Sequence, residues 1–234
     1  MTISRQALVR IRERTARTGG QLAGLFVMMS LAISATGHDV DVLVIDRDGK
    51  QVADVAVYAV RLDGNMALPN PQSSAVMDQV DRQFVPHVLV VQVGTPVEFP
   101  NSDTVAHHVY SFSHPNKFVL PMYKGEKHSP VTFEHSGVVS LGCNIHDHML
   151  GYILVVDSTE FTMTDGIGHA TLSLGNPDDY VINIWSPRIR DKQENLSKTV
   201  SVSGASSASV TFSLEKKLNP PHGGKPDSES WADY

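Results

Sequence analysis

Short runs in which apolar and polar residues alternate recur along most of the chain from residue 38 onward. Two such runs open this part, at residues 40–46 and 52–60, and the turn sequence Arg47-Asp48-Gly49-Lys50 separates them. Alternation with a period of two is typical of strands that bury one face, and an Asp-Gly pair favours a tight turn. No long stretch after residue 37 repeats its apolar residues at the helical period. The pattern therefore predicts an all-β protein.

Further runs of the same kind predict strands through the middle and the end of the chain. They cover residues 77–84, 88–93, 97–99, 107–112, 131–133, 137–141, 152–156, 170–174, 180–185, 199–202 and 209–214. Between them, residues 62–75 are rich in Pro, Asn, Gly and Ser, and residues 114–130 are polar, so both are predicted to be long loops. Lys, Pro, Gly, Asp and Ser dominate from Glu215 onward, which predicts a disordered tail over residues 216–234.

The first 37 residues have a different composition. Five arginines precede an apolar run over residues 22–33, and small residues follow at positions 34–37. A basic region, a short apolar region and a small-residue exit are typical of a secretory signal peptide, which predicts export to the periplasm. We expect cleavage near Ala35 or Gly37. The apolar run is short for a membrane span, and the protein would contact a membrane only if this segment were kept as an anchor.

Removal of this segment changes the charge. It would take away five arginines and Glu13, so the formal net charge would move from −6 to −10. An acidic exported protein is a poor candidate for binding nucleic acid or an anionic membrane surface. A basic redox protein would suit it better as a partner.

The candidate chemistry lies in the sequence Cys143-Asn144-Ile145-His146-Asp147-His148-Met149, which holds the only cysteine of the chain. One cysteine cannot form an intramolecular disulfide in an oxidising compartment, so metal ligation is a good explanation for it. A thiolate, an imidazole and a thioether on one short loop form a soft ligand set that favours copper, especially when a second imidazole joins them. The candidates for that second imidazole are in the segment 101–109, which contains His107 and His108.

Together these motifs resemble the cupredoxins. The resemblance rests on Val97-Glu98-Phe99-Pro100-Asn101, on the histidines that follow, and on residues 137–155, and it covers roughly residues 76–157. The Cys-x-x-His-x-x-Met spacing is similar to the short loop of amicyanin rather than the longer loop of plastocyanin, and similar exported bacterial proteins are labelled methylamine utilisation proteins. The resemblance implies one mononuclear type 1 (blue) copper ion, with ligands His107, Cys143, His146 and the axial Met149. It also implies single-electron transfer between periplasmic redox partners through the edge of His146.

Other interpretations stay open at this point. His108 stands where plastocyanins and amicyanin carry an asparagine that braces the cysteine loop, and His148 lies between His146 and Met149, so a His-rich site for copper storage or delivery is an alternative. A copper enzyme is another, since cleavage after Gly37 would let the amine and imidazole of His38 chelate a second copper. The remaining alternative is a metal-free scaffold, in which Cys143 and Met149 only fill the core. No spacing of serines and histidines indicates a catalytic triad, and we predict no small-molecule substrate. His87 is interpreted as structural.

The segments on either side of the motifs resemble a different fold. Residues 42–60 and 164–182 are similar to the strands of carboxypeptidase-regulatory-like, transthyretin-like sandwiches. We therefore expect a cupredoxin-like Greek-key sandwich at residues 73–157, inserted into a second small β-sandwich made of residues 38–72 and 158–215. Contacts between residues 40–60 and 170–185 would support the insertion. One continuous sandwich is the alternative.

Overall fold

The computed structural model describes residues 38–64, 68–125, 128–203 and 207–222. Within these ranges the protein consists of β-strands, turns and one short 3₁₀ helix, Gln193–Leu196. The predicted all-β class is confirmed. No helix in the described ranges is long and apolar enough to cross a membrane. The predicted signal peptide, residues 1–37, lies outside the described residues.

Most strands follow the alternating runs of the sequence, with boundaries that differ by a few residues. The run at residues 77–84 is instead divided into two short antiparallel strands by a turn at residues 81–82. In chain order they are β1 (His38–Ile45), β2 (Ala56–Arg61), β3 (Ala75–Val76), β4 (Asp78–Val80), β5 (Gln83–Val85), β6 (Val88–Gln92), β7 (Pro96–Glu98), β8 (His107–Ser111), β9 (Phe118–Tyr123), β10 (Val131–Thr132), β11 (Gly137–Gly142), β12 (Leu150–Val156), β13 (Phe161–Met163), β14 (His169–Leu174), β15 (Asp178–Trp185), β16 (Ser197–Val202) and β17 (Ala208–Ser213).

Strands from the two ends of the described chain form two sheets that share one core. One sheet has the order β14-β1-β17 and the other the order β13-β2-β15-β16. Alternate residues of each strand point inward, because successive side chains of a strand face opposite sides. The fully buried members of this core include Val40, Val42, Val44, Val57, Ile182 and Ile184. The antiparallel pairing of β1 with β14, and of β2 with β15, joins residues that precede the central segment to residues that follow it.

The central segment builds a second core. Its five-stranded sheet has the order β6-β12-β11-β8-β9, and a smaller sheet has the order β10-β7-β3. Their apolar faces meet in a cluster that includes Met77, Phe84, Val97, Phe99, Val109, Phe133, Val139, Leu141, Cys143, Met149, Ile153 and Val155. A third, small cluster of Ala56, Leu154 and Val156 lies where β2 meets β12. Two main cores and the strand pairings are consistent with insertion, and the domain boundaries themselves remain a prediction.

Two further details of the predicted fold are wrong. Residues 114–130 are not one loop, because residues 118–123 form β9, which pairs with β8 at the edge of the five-stranded sheet. An edge strand pairs on one side only and therefore tolerates Pro121, and the polar residues around it made the segment look like a loop. Of the predicted disordered tail at residues 216–234, residues 216–222 are ordered, and residues 223–234 lie outside the described residues. The backbone N–H groups of Glu215 and Lys216 donate to the carboxylate of Asp191 at 2.6 and 3.0 Å, and Leu218 packs against the first core.

A pair of matched substitutions tests the division into two units. Ile153 and Ile182 are each fully buried, one in each main core, and truncation of either to alanine should cost about 2–5 kcal/mol of unfolding free energy. Cys143 is 3% exposed and is the only thiol of the chain, so its rate of labelling reports unfolding of the central sandwich. In mild denaturant, Ile153→Ala should accelerate labelling strongly, whereas Ile182→Ala should leave Cys143 protected. Equal acceleration in both variants would show a single cooperative unit.

Candidate metal centre

Three side chains of the central sandwich direct donor atoms at one point. His107 begins β8, Cys143 directly follows β11, and His146 lies in the loop between β11 and β12. The Nδ1 atoms of His107 and His146 are each 3.8 Å from Sγ of Cys143, and the three donor atoms all lie within 4.8 Å of one another. Two imidazoles and a thiol in this arrangement could bind a metal ion.

The loop that carries Cys143 and His146 is closed by the sheet itself. Gly142, the last residue of β11, pairs with Leu150, the first residue of β12. Inside the loop, the N–H of Met149 donates to the carbonyl oxygen of His146 at 2.9 Å and forms a tight turn. Met149 is 1% exposed and belongs to the same apolar cluster as Cys143. The donor atoms of His107, Cys143 and His146 therefore converge, and Met149 is buried in the same apolar cluster as Cys143.

His107 is held from its far side by a residue to which the sequence assigned no role. Its Nε2 lies 2.8 Å from Oδ2 of Asp103, and both side chains are buried. Asp103 also accepts the backbone N–H of Arg82 at 2.7 Å and that of Thr104 at 2.6 Å. The hydrogen bond with His107, followed by the bond from Arg82, holds the pKa of Asp103 well below its usual range. The signal was an aspartate four residues before a candidate ligand, which is too common to stand out alone.

A buried polar network fixes the segment that leads to His107. Gln79 is fully buried, and its Nε2 donates to the carbonyl oxygen of Pro100 at 2.8 Å and to the hydroxyl of Tyr123 at 2.5 Å. The Tyr123 hydroxyl donates in turn to the carbonyl oxygen of Phe99 at 2.6 Å. Burial raises the pKa of Tyr123 to about 12. Tyr123 is also the β9 residue that pairs with His107. The polar network and the strand pairing therefore both fix the position of His107.

The charge state of His146 is set by its surroundings. Burial lowers the pKa of His146 below its ordinary value of 6.5, and the nearby positive groups of His107, Arg82 and His148 lower it further. His146 is half-buried and His148 is exposed, with their ring centroids 6.1 Å apart. A histidine must be neutral to bind a metal. The environment therefore favours the form of His146 that can act as a ligand at neutral pH.

Gly142 allows a close approach beside the cluster of His107, Cys143 and His146. A Cβ atom at this position would lie 2.8 Å from Cζ and from the hydroxyl oxygen of Tyr110, closer than packed atoms tolerate. The Tyr110 ring therefore lies directly over the backbone of the residue before Cys143. Only glycine fits there without displacing the ring or the strand.

The remaining histidines singled out in the sequence lie outside this group. His108 is half-buried, and its Nδ1 has no hydrogen-bond partner in the described part of the chain. His38 begins β1 opposite Leu174 in the other sandwich. His87 bonds through Nδ1 to the carbonyl oxygen of Leu150 at 3.1 Å and stacks on His222 at 4.3 Å. None of the three is among the residues whose donor atoms meet at Cys143.

Among known proteins, this chain is similar to several solved structures. No family model and no curated relative matches the chain. A purple cupredoxin from Nitrosopumilus maritimus is 25% identical over 36% of this chain and 100% of its own, with a TM-score of 0.32. A reduced amicyanin variant is 22% identical over 42% of this chain and 99% of its own, with a TM-score of 0.34. A copper-containing nitrite reductase from Thermus scotoductus is 28% identical over 42% of this chain, at a TM-score of 0.34, and only 25% of that enzyme is covered. Cupredoxins, the family that the motifs resemble, are thus also found among similar structures.

Substitution of Gly142 tests the close contact with Tyr110. Gly142→Ala should lower the free energy of unfolding by about 1–3 kcal/mol, because the added methyl group must displace the ring or the strand. Gly175→Ala is a matched control, since a Cβ at Gly175 would meet nothing within 4 Å. Chemical denaturation measures both. Equal stability of the two variants would contradict the contact.

The lowered pKa of His146 predicts a pH dependence of the metal-free protein. An NMR titration should give His146 a midpoint below 6.5, and His148→Gln should raise that midpoint because it removes a repelling charge. The unfolded chain binds the proton more readily than the folded one, so this group should lower the free energy of unfolding as pH falls through 6.5 toward the folded pKa. His146→Gln should remove this part of the pH dependence. A midpoint at or above 6.5 would contradict the lowered pKa.

Proposed function

We propose that this protein binds one type 1 copper ion through His107, Cys143, His146 and Met149 and carries single electrons between periplasmic redox proteins. The observation that supports the ligand set most directly is the convergence of two Nδ1 atoms, each 3.8 Å from Sγ of Cys143. Two imidazoles and a thiolate with a weak axial thioether suit both Cu(I) and Cu(II). Copper supplies the one-electron couple, and the residues set its environment.

The protein contributes a rigid support for these ligands. His107 is fully buried and anchored in β8, and Cys143 is held at the end of β11 by the β11–β12 pairing. Met149 is buried at the other end of the same loop, next to the strand that pairs with β11. Ligands held by strands on both sides move little when the metal changes oxidation state. Small movement lowers the structural cost of gaining or losing an electron.

Exposure differs among the proposed ligands and indicates a route for the electron. His107, Cys143 and Met149 are buried, whereas His146 is half-buried. Ile145, its neighbour on the loop, is 50% exposed. A partner that docks on this small, partly apolar surface would meet the edge of His146 first. Small contacts of this kind suit transient electron-transfer encounters.

One observation favours a second function, copper storage or delivery. The exposed ring of His148 lies 6.1 Å from the ring of His146, near enough for the loop to offer a third imidazole after a modest rearrangement. Labile binding by a His-rich group would suit metal transfer better than electron transfer. Copper titration distinguishes the two functions.

Copper titration of the metal-free protein is the main test. Visible absorption and electron paramagnetic resonance should show one copper ion, an intense thiolate-to-copper band and narrow hyperfine splitting, since a Cys thiolate in a trigonal site is proposed. Cys143→Ser should abolish the band. Met149→Leu should retain the band and shift the reduction potential, because a weakly bound thioether would tune it. His148→Gln should leave the spectrum unchanged.

The other outcomes are equally informative. Copper binding without the thiolate band would favour the storage or delivery function. Absence of stoichiometric binding would contradict both copper functions.

A further inference from the structure

We propose that Asp103 is a positioning residue for the copper centre, which orients His107 through Nε2 and biases the bound metal toward Cu(II). The inference rests on the proposed function, because it concerns the same site. It adds a residue outside the four proposed ligands and gives it an effect on the reduction potential.

The geometry fixes which nitrogen of His107 is free to bind metal. Oδ2 of Asp103 lies 2.8 Å from Nε2 of His107, with 6% of the Asp103 side chain and none of the His107 side chain exposed. An ionised carboxylate can only accept hydrogen bonds, so Nε2 carries the hydrogen and donates it. Nδ1 is then left with its lone pair, and Nδ1 is the atom that faces Sγ of Cys143. The carboxylate therefore selects the tautomer that the site needs.

Asp103 is itself held by contacts that do not involve His107. The same Oδ2 accepts the backbone N–H of Arg82, and Oδ1 accepts the N–H of Thr104. Arg82 lies in the two-residue turn between β4 and β5, where Asp81 and Arg82 have φ values of 50° and 58°. This left-handed conformation at both positions is a type I′ hairpin turn. The turn directs the Arg82 N–H at Asp103, so the carboxylate is oriented from another pair of strands.

The charge of Asp103 has a predictable effect on the metal. A carboxylate bonded to the far nitrogen of a ligating imidazole raises the basicity of that ligand. The effect is greater for a buried pair, because charges in a medium of low dielectric constant are weakly screened. The extra negative charge stabilises the ion of higher charge more than the ion of lower charge. The couple is therefore shifted toward Cu(II), and the reduction potential is lowered.

The experiment compares Asp103→Asn with Asp81→Asn in the full copper-loaded protein. Asparagine keeps the shape of Asp103 and an oxygen that can accept from Nε2, but it removes the charge. We expect Asp103→Asn to retain one copper ion and the thiolate band. Its preference for Cu(II) over Cu(I) should fall at least about tenfold, which is a rise of about 59 mV for a one-electron couple. Asp81 is exposed and lies in the same turn, and asparagine tolerates its left-handed conformation, so Asp81→Asn removes the same charge and should move the potential far less.

An unchanged potential in copper-loaded Asp103→Asn, or a shift no larger than that of Asp81→Asn, would overturn the inference. A second measurement does not depend on copper or on the folding of a variant. Nitrogen-15 NMR of the metal-free wild-type protein should show His107 as the Nε2–H tautomer, and an Nδ1–H tautomer would also overturn it. If the wild-type protein bound no copper while His107 was the Nε2–H tautomer, the proposed function would fail and the assigned hydrogen bond would stand.

Discussion

The antiparallel pairing of β11 with β12 is the constraint on which the candidate metal centre depends. The pairing brings Gly142 opposite Leu150, so the loop between them must leave and re-enter the sheet at neighbouring points. Cys143 and Met149 occupy the first and last positions of that loop, and both are drawn into the core. His146 lies between them, in the turn closed by the N–H of Met149. Three proposed ligands are thus placed by one pair of strands.

The fourth proposed ligand needs separate support, because His107 lies on a different strand. The support consists of buried polar groups, whose hydrogen bonds offset the cost of burying them. Gln79 and Tyr123 tie down the carbonyl groups of Phe99 and Pro100, and Asp103 bonds to the ring of His107 itself. Gln79, Tyr123 and Asp103 therefore help to fix one histidine.

The second sandwich adds nothing to the ligand group, since His107, Cys143, His146 and Met149 all belong to the central segment. In the structure, this sandwich joins the chain that precedes the central segment to the chain that follows it. Strands before and after the central segment pair with each other, and the Ser158 hydroxyl, just after β12, donates to the carbonyl oxygen of Ala59 in β2 at 2.5 Å. The chain before the central segment and the chain after it are thereby held together, as insertion of the central sandwich would require.

The sequence by itself determined the strand class and the kinds of side chain proposed as ligands, because alternation with a period of two and the spacing of Cys143, His146 and Met149 are local properties of the chain. It did not reveal β9, since an edge strand satisfied by one partner tolerates the proline and polar residues of a loop. The choice between His107 and His108 depended on which face of β8 turns inward, and the folded sheet places His107 beside Cys143. The role of Asp103 was decided only by tertiary structure, because its orientation depends on a turn between two other strands.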